Sequence, residues 1–222
     1  MIVGKLKPVK EIVSSISDFR KVLILGCGTC VTVCLTGGDR EAQSLSRELD
    51  SGRYFDGNPP DFNVDTIERQ CERDMVETYL ELPVNTDAIL SLACGAGVQT
   101  LAGLFTKLPV IPALNTTFIG ALDEPGIWRE KCQGCGDCVL AYTGGICPVS
   151  RCAKRLFNGP CGGSSKGKCE IGDDVDCAWQ LIIDRLKALG RLDDYEKIQP
   201  PKDWSPDRPG GPRSMERIVE LE

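Results

Sequence analysis

The residues with the most chemistry in them are cysteines. Cys132-x-x-Cys135-x-x-Cys138 has the spacing at which successive thiolates of one loop reach different irons of a cubane, and Gly134 and Gly136 let the chain wrap tightly between them. In the ferredoxin run of this type, a Cys-Pro cysteine comes four residues later. Here Cys147-Pro148 comes nine residues after Cys138, so the centre that Cys147 joins is open. Cys152, Cys161, Cys169 and Cys177 follow. Eight cysteines divide into two sets of four, which predicts two 4Fe-4S clusters between Cys132 and Cys177. Four-thiolate zinc sites are the alternative, although they usually show paired CxxC knuckles and only the first half of the segment has them.

Five more cysteines precede this segment: Cys27, Cys30, Cys34, Cys71 and Cys94. Cys27 and Cys30 follow the first expected strand of the sheet, Cys71 precedes a helix after the second, and Cys94 follows the third. In a doubly wound sheet that is the edge where ligands bind. Four of the five would form a third centre, either iron-sulfur or zinc. Cys27-Gly28-Thr29-Cys30 also reads as a thioredoxin-like dithiol, because a CxxC between strand and helix is the setting of that motif. Cys34, one turn further on, argues for ligation, since a dithiol enzyme has no need of a third thiol. Gly26-x-Gly28 lacks the third glycine of a dinucleotide fingerprint, the position being Val31. Gly95 and Gly97 after Cys94 suit a close approach of backbone to a cluster, or a tight turn.

The rest of the composition narrows the chemistry further. Among 222 residues there is no histidine, which excludes Ser-His-Asp, Cys-His and HExxH catalysis and leaves thiolate and carboxylate as metal ligands. No residue is nominated as catalytic. Asp plus Glu exceed Lys plus Arg by 32 to 26, so a nucleic-acid surface is not favoured. The start has no basic region followed by an apolar run, which predicts a cytoplasmic chain, and dense cysteine there points to metal or redox chemistry instead of disulfides. Residues 88–106 carry no charge, but Gly95, Gly97 and Gly103 break them into strand, turn and helix, and no membrane span is expected.

The elements that must position these cysteines follow from periodicity. Pro8 opens a helix through residue 19, with Ile12, Val13 and Ile16 on one face. Val22–Leu25 is an apolar run closed by Gly26, as in a buried parallel strand. A helix over 39–49, a weak strand at 62–64, a helix over 72–82, a strand at 88–92, a helix over 98–105 and a short strand at 110–111 continue the alternation. This predicts an α/β fold: a small doubly wound, mostly parallel sheet domain over residues 1–122. Residues 123–190 form an irregular, glycine-rich, ferredoxin-like module ending in a helix over 178–189. Residues 191–222 form a tail with Pro200, Pro201, Pro206, Pro209 and Pro212, too many for regular structure. The cysteine-rich segment has few large apolar residues, so something bound must order it.

The runs LGCGTCVTVCLTGGDRE (25–41), SLACGAGVQT (91–100), PALNTTFIG (112–120), KCQGCGDCVLAYTGGICPVSRCAKRLFNGPCGG (131–163), GKCE (167–170) and DCAWQLIIDRLKALG (176–190) together resemble one family. It is the small iron-sulfur, MetV-type subunit of anaerobic methylenetetrahydrofolate reductase, of the methylenetetrahydrofolate reductase C-terminal family. The resemblance implies two to three 4Fe-4S clusters on this chain, with zinc as the alternative at the N-terminal site. It places FMN and folate on a separate TIM-barrel reductase subunit of MetF type. It further implies an electron donor such as a ferredoxin or an NADH-oxidising iron-sulfur protein. The reaction served is reduction of 5,10-methylenetetrahydrofolate to 5-methyltetrahydrofolate in the Wood-Ljungdahl pathway. A zinc-binding interaction subunit and a CxxC thiol oxidoreductase remain the alternatives.

Overall fold

A computed structural model describes residues 1–207 and 213–215. The chain divides into two compact units, Met1–Arg129 and Glu130–Glu222. In the first, β1 (Ile2–Leu6) and α1 (Val9–Ile16) lead into β2 (Lys21–Cys27), α2 (Cys30–Val33), α3 (Asp39–Asp50), β3 (Asp61–Ile67), α4 (Arg73–Tyr79), β4 (Ala88–Ser91), α5 (Gly95–Leu104) and β5 (Val110–Pro112). Four of these strands form one parallel sheet in the order β3-β2-β4-β5. The central strand β2 is buried on both faces, and its alternation sorts the two layers. Val22 and Ile24 pack with Ile12, Ile16, Leu45 and Leu49 of α1 and α3, while Leu23 and Leu25 pack with Val76 of α4 and Leu101 of α5. Helices on both faces of a parallel sheet are the doubly wound arrangement expected from the sequence.

The strand order reverses at β2: the chain steps to one side for β3 and to the other for β4. The crevice outside the carboxyl ends of β2 and β4 is therefore the topological switch point, where such sheets receive ligands. Cys27 is the last residue of β2 and Cys94 immediately precedes α5 after β4.

A second sheet, ordered β1-β6-β7, was not expected from the sequence; β6 spans Leu114–Glu124 and β7 spans Ile127–Cys132. Its strands lack a strong hydrophobic alternation. In β6 only Leu114 and Gly120 are buried, and in β1 Lys5 and Leu6 are exposed. Backbone pairing of β1 with β6, not a buried side-chain face, defines these strands.

The second unit has little regular structure, as the composition predicts. It contains α6 (Pro148–Arg151), an antiparallel hairpin of β8 (Lys168–Cys169) and β9 (Gly172–Asp176), α7 (Ala178–Ala188) and α8 (Leu192–Glu196). Its core is small: Cys177, Trp179, Ile182 and Leu186, with Ile146, Cys152 and Leu156 packed against them. The helix α8 corrects the expectation of an irregular tail from residue 191 onward. It ends before the first proline of the run, Pro200, and so escapes the restriction that proline imposes. Pro209 and Pro212 of that tail lie outside the described residues.

Candidate metal centres

Three of the five N-terminal cysteines, Cys27, Cys71 and Cys94, lie near enough at the switch point to feel one another's charge. Cys71 is exposed, yet partial desolvation pushes its thiol up first of all, and the neighbouring Cys94 and Cys27 sulfurs, which disfavour another negative charge nearby, push it further. Cys30 opens α2, three residues beyond Cys27. Cys34 behaves differently. It is buried, its sulfur lies 3.0 Å from the Thr36 hydroxyl and 3.6 Å from the Val31 carbonyl, and it packs with Val3, Val31 and Leu114. Cys27 is buried in the same cluster, but its nearest polar contacts are at 3.9 Å, whereas Cys34 is tied by the close Thr36 hydroxyl and behaves as a small core residue.

Gln70, beside Cys71, was not singled out by sequence reasoning. Fully buried, it donates to the carbonyls of Leu25 (2.8 Å) and Gly26 (2.9 Å) at the end of β2, and accepts from the Ser91 hydroxyl (2.6 Å) at the end of β4. The Ala93 N–H in turn reaches Ser91 Oγ at 3.2 Å. One amide therefore ties together the strand ends that carry Cys27 and Cys94 and fixes the backbone at Cys71. The indole N–H of Trp128 is buried with no hydrogen-bond partner among the described residues, and its ring packs on the cluster that holds Cys27 and Cys34. A buried N–H beside thiols fits a sulfur acceptor, since donors to the sulfurs are a common outer shell of thiolate sites.

In the second unit Cys152, Cys161, Cys169 and Cys177 line one small cavity of about 20 Å³, walled by Leu156, Ala178 and Trp179. Cys177 precedes α7. Burial raises its thiol, but hydrogen bonds from the Ser164 hydroxyl and the N–H groups of Gln180 and Trp179 outweigh that and leave it below the ordinary thiol value. Lys154 on the same wall is held above the usual lysine range, first by its Glu170 partner and then by the Cys161 sulfur. A cation and three hydrogen-bond donors beside four thiols favour the thiolate form that metal binding needs. The donor set suits a thiolate-ligated cluster or zinc. Among the described residues, no three Cys, Asp or Glu side chains are drawn up at a separation able to hold a metal ion.

The Cys132–Cys138 loop is more open, with Cys132 and Cys138 exposed. Gly134 (φ 65°) and Gly136 (φ 85°) turn the chain in the left-handed region, and the Gly134 N–H lies 3.3 Å from the Cys132 sulfur. Ser150 of α6 donates to the Lys131 carbonyl at 3.1 Å, so the short helix that Cys147 precedes is tied to the backbone next to Cys132. The C-terminal segment returns to this loop. Lys202 donates to the Asp137 carbonyl, the Asp203 N–H reaches the Asp137 carboxylate at 3.1 Å, and Arg213 donates to the Gly134 carbonyl at 2.7 Å.

Residues 111–205 match the family model of the methylene-tetrahydrofolate reductase C terminal. The methylene-tetrahydrofolate reductase C-terminal match covers a little under half of the chain. It takes in all eight cysteines from Cys132 to Cys177, together with Lys202 and Trp204, and leaves out the five at the parallel sheet. It is the family that the sequence runs resemble. No curated protein and no solved structure matches the chain. Among the described residues, no helix is long and apolar enough to cross a membrane, and residues 88–106 are strand, turn and helix as expected.

Proposed function

We propose that the chain is the electron-transfer subunit of a methylenetetrahydrofolate reductase, with its cysteines holding three metal centres. The observation that carries this reading is the gathering of Cys152, Cys161, Cys169 and Cys177 around one cavity inside the segment that matches the reductase family. Two further sets complete the proposal: Cys132, Cys135, Cys138 and Cys147, and Cys27, Cys30, Cys71 and Cys94, with Cys34 as the spare. Iron-sulfur clusters, when bound, supply one-electron chemistry whose potential is set by the thiolate ligands, nearby hydrogen bonds and exposure.

The protein's part is to hold the sulfurs and tune their surroundings. Trp179, Leu156 and Ala178 keep water from the Cys152–Cys177 set, while Lys154 and Lys202 place positive charge near sulfur or loop carbonyl. With no histidine, the chain has no acid or base matched to neutral pH, which suits electron transfer without proton chemistry. Folate and flavin reside on a TIM-barrel partner subunit. The donor is a ferredoxin or an NADH-oxidising iron-sulfur protein, and the setting is the cytoplasm. A dithiol role for Cys27 and Cys30 has less support, because Cys27 is buried.

A zinc reading stands beside this one on one specific observation. The four-cysteine cavity, at about 20 Å³, has room for a single ion, whereas a cubane requires the side chains to swing outward. Iron, acid-labile sulfide and zinc on protein purified without oxygen separate the two. Roughly 12 Fe per chain, from three four-iron clusters, with EPR signals on reduction, supports the electron-transfer reading. Zinc without labile sulfide overturns it. The second arm mixes the chain with its flavin-bearing partner and reduced ferredoxin; a flavin reduced equally fast without this chain also overturns it.

A further inference from the structure

An open cleft of about 770 Å³ lies in the second unit, bounded by the Cys132–Cys138 loop, α7, α8 and the returning C-terminal segment. Its size is that of small-molecule sites. Two aromatic pairs line it. Phe157 and Trp204 meet edge to face with ring centres 5.2 Å apart, and Trp179 and Tyr195 are tilted by 58° at 6.2 Å. Trp179 is held by its indole N–H, which donates to the Leu156 carbonyl at 3.0 Å. Tyr142 completes the lining with 49% of its surface exposed, and Trp204 keeps 41% exposed. Large rings left in water beside a cavity have stacking surface to give.

The charges in the lining limit what can enter. Lys197 is bound to Asp194 at 2.6 Å, and Lys202 to Asp137, so neither lysine is free for a phosphate or carboxylate. Stacking faces with no free cation among the described residues disfavour an anion and suit an uncharged, planar group. We propose that this cleft binds a fused two- or three-ring heteroaromatic system, stacked on the exposed ring of Tyr142 and against the part of Trp204 that the Lys202 ammonium, 5.1 Å from its ring centre, leaves open. Cys138 and Pro148 lie on the same lining, so the bound ring sits against the cysteine loop. Any redox role for it rests on the electron-transfer reading above; its binding does not.

Equilibrium dialysis of the as-isolated full chain against riboflavin, with lumazine as the smaller ring, tests this directly. The expected result is saturable uptake of one ring per chain with quenching of tryptophan emission. Trp204→Ala and Tyr142→Ala each weaken uptake about tenfold, the usual scale of a lost stacking face. Tyr79→Ala, exposed in the other unit, leaves it unchanged. Metal content measured on the same samples reports on the electron-transfer reading separately, so either idea can fail alone. Absence of saturable uptake of both rings overturns the proposal. Uptake insensitive to both alanine substitutions overturns it as well.

Discussion

Lys202 and Asp137 are 65 residues apart in the chain, yet the Lys202 ammonium donates to the Asp137 main-chain carbonyl and lies 3.6 Å from its carboxylate. The Lys202 side chain is only 2% exposed. The Cys135 sulfur approaches the same carbonyl at 3.7 Å. A buried positive charge and a candidate metal ligand thus share one oxygen, which couples the C-terminal segment to the cysteine loop.

Replacing Lys202 by Met removes that charge while keeping most of the side-chain volume. A charged hydrogen bond of this kind contributes on the order of 1.5–3 kcal/mol, so amide exchange over residues 133–138 accelerates in Lys202→Met. A centre bound at this loop also becomes harder to reduce, because a nearby positive charge favours the reduced state. Redox titration followed by EPR reads the second effect. A potential unchanged or raised in Lys202→Met contradicts the assignment.

Gln70 makes the corresponding tie in the first unit. Gln70→Leu takes the donor from the Gly26 carbonyl and the acceptor from the Ser91 hydroxyl in a fully buried place, while the Leu25 carbonyl keeps the Leu92 N–H at 2.9 Å. Each buried polar group left unpaired costs about 1–3 kcal/mol. The melting temperature therefore falls by several degrees at least, and the metal content drops by one centre. Loss of stability with metal fully retained would separate the amide from the site.

The contrast between these two residues and the cysteines shows what a sequence can disclose. Strand β2 and helix α3 were readable because burial on both faces, or on one helical stripe, leaves a period in the residue types. The cysteines were readable because ligation constrains spacing within a loop. Gln70 and Lys202 left no such trace: each is an ordinary polar residue whose role depends on a partner brought close only by folding. Strands β1 and β6 were hidden for a related reason, since their pairing is made by backbone and their side chains stay largely exposed.

Trp128→Phe tests the unpartnered indole N–H. Phenylalanine keeps most of the packing on the cluster of Val3, Val31 and Leu114 but has no donor. If that N–H serves a sulfur at the Cys27 site, its loss lowers the reduction potential of that centre alone, because hydrogen bonds to sulfur favour the reduced form. Signals from the other centres stay where they are. A gain in stability of the metal-loaded protein, with no change in any potential, would show the N–H to be merely orphaned.

Cysteine substitutions divide the N-terminal five. Cys71→Ser and Cys94→Ser each abolish one centre, a loss of roughly four irons for a cubane or one zinc for a mononuclear site. Cys34→Ala keeps the full complement of metal. Its cost is instead a modest fall in stability, about 1–2 kcal/mol for shaving a small buried side chain. Metal analysis with thermal unfolding on the same samples distinguishes ligand from core residue, and metal loss in Cys34→Ala would displace the grouping offered here.

The last prediction concerns pH, and its sign follows from the thiols. Metal binding requires thiolates, so a site whose thiol is raised is emptied by protons at a higher pH than one whose thiol is lowered. Cys71, although exposed, is raised by partial desolvation and by the Cys94 and Cys27 sulfurs. Cys177 is lowered, its burial outweighed by the Ser164 hydroxyl and the first N–H groups of α7. Acidification of anaerobic protein in the presence of a chelator therefore empties the Cys27/Cys71/Cys94 centre first and the Cys152–Cys177 centre later. Cys71→Ser and Cys177→Ser, each lacking one of the two steps, assign them. Release in the opposite order would mean that metal affinity at the two sites is governed by something other than these thiols' protons.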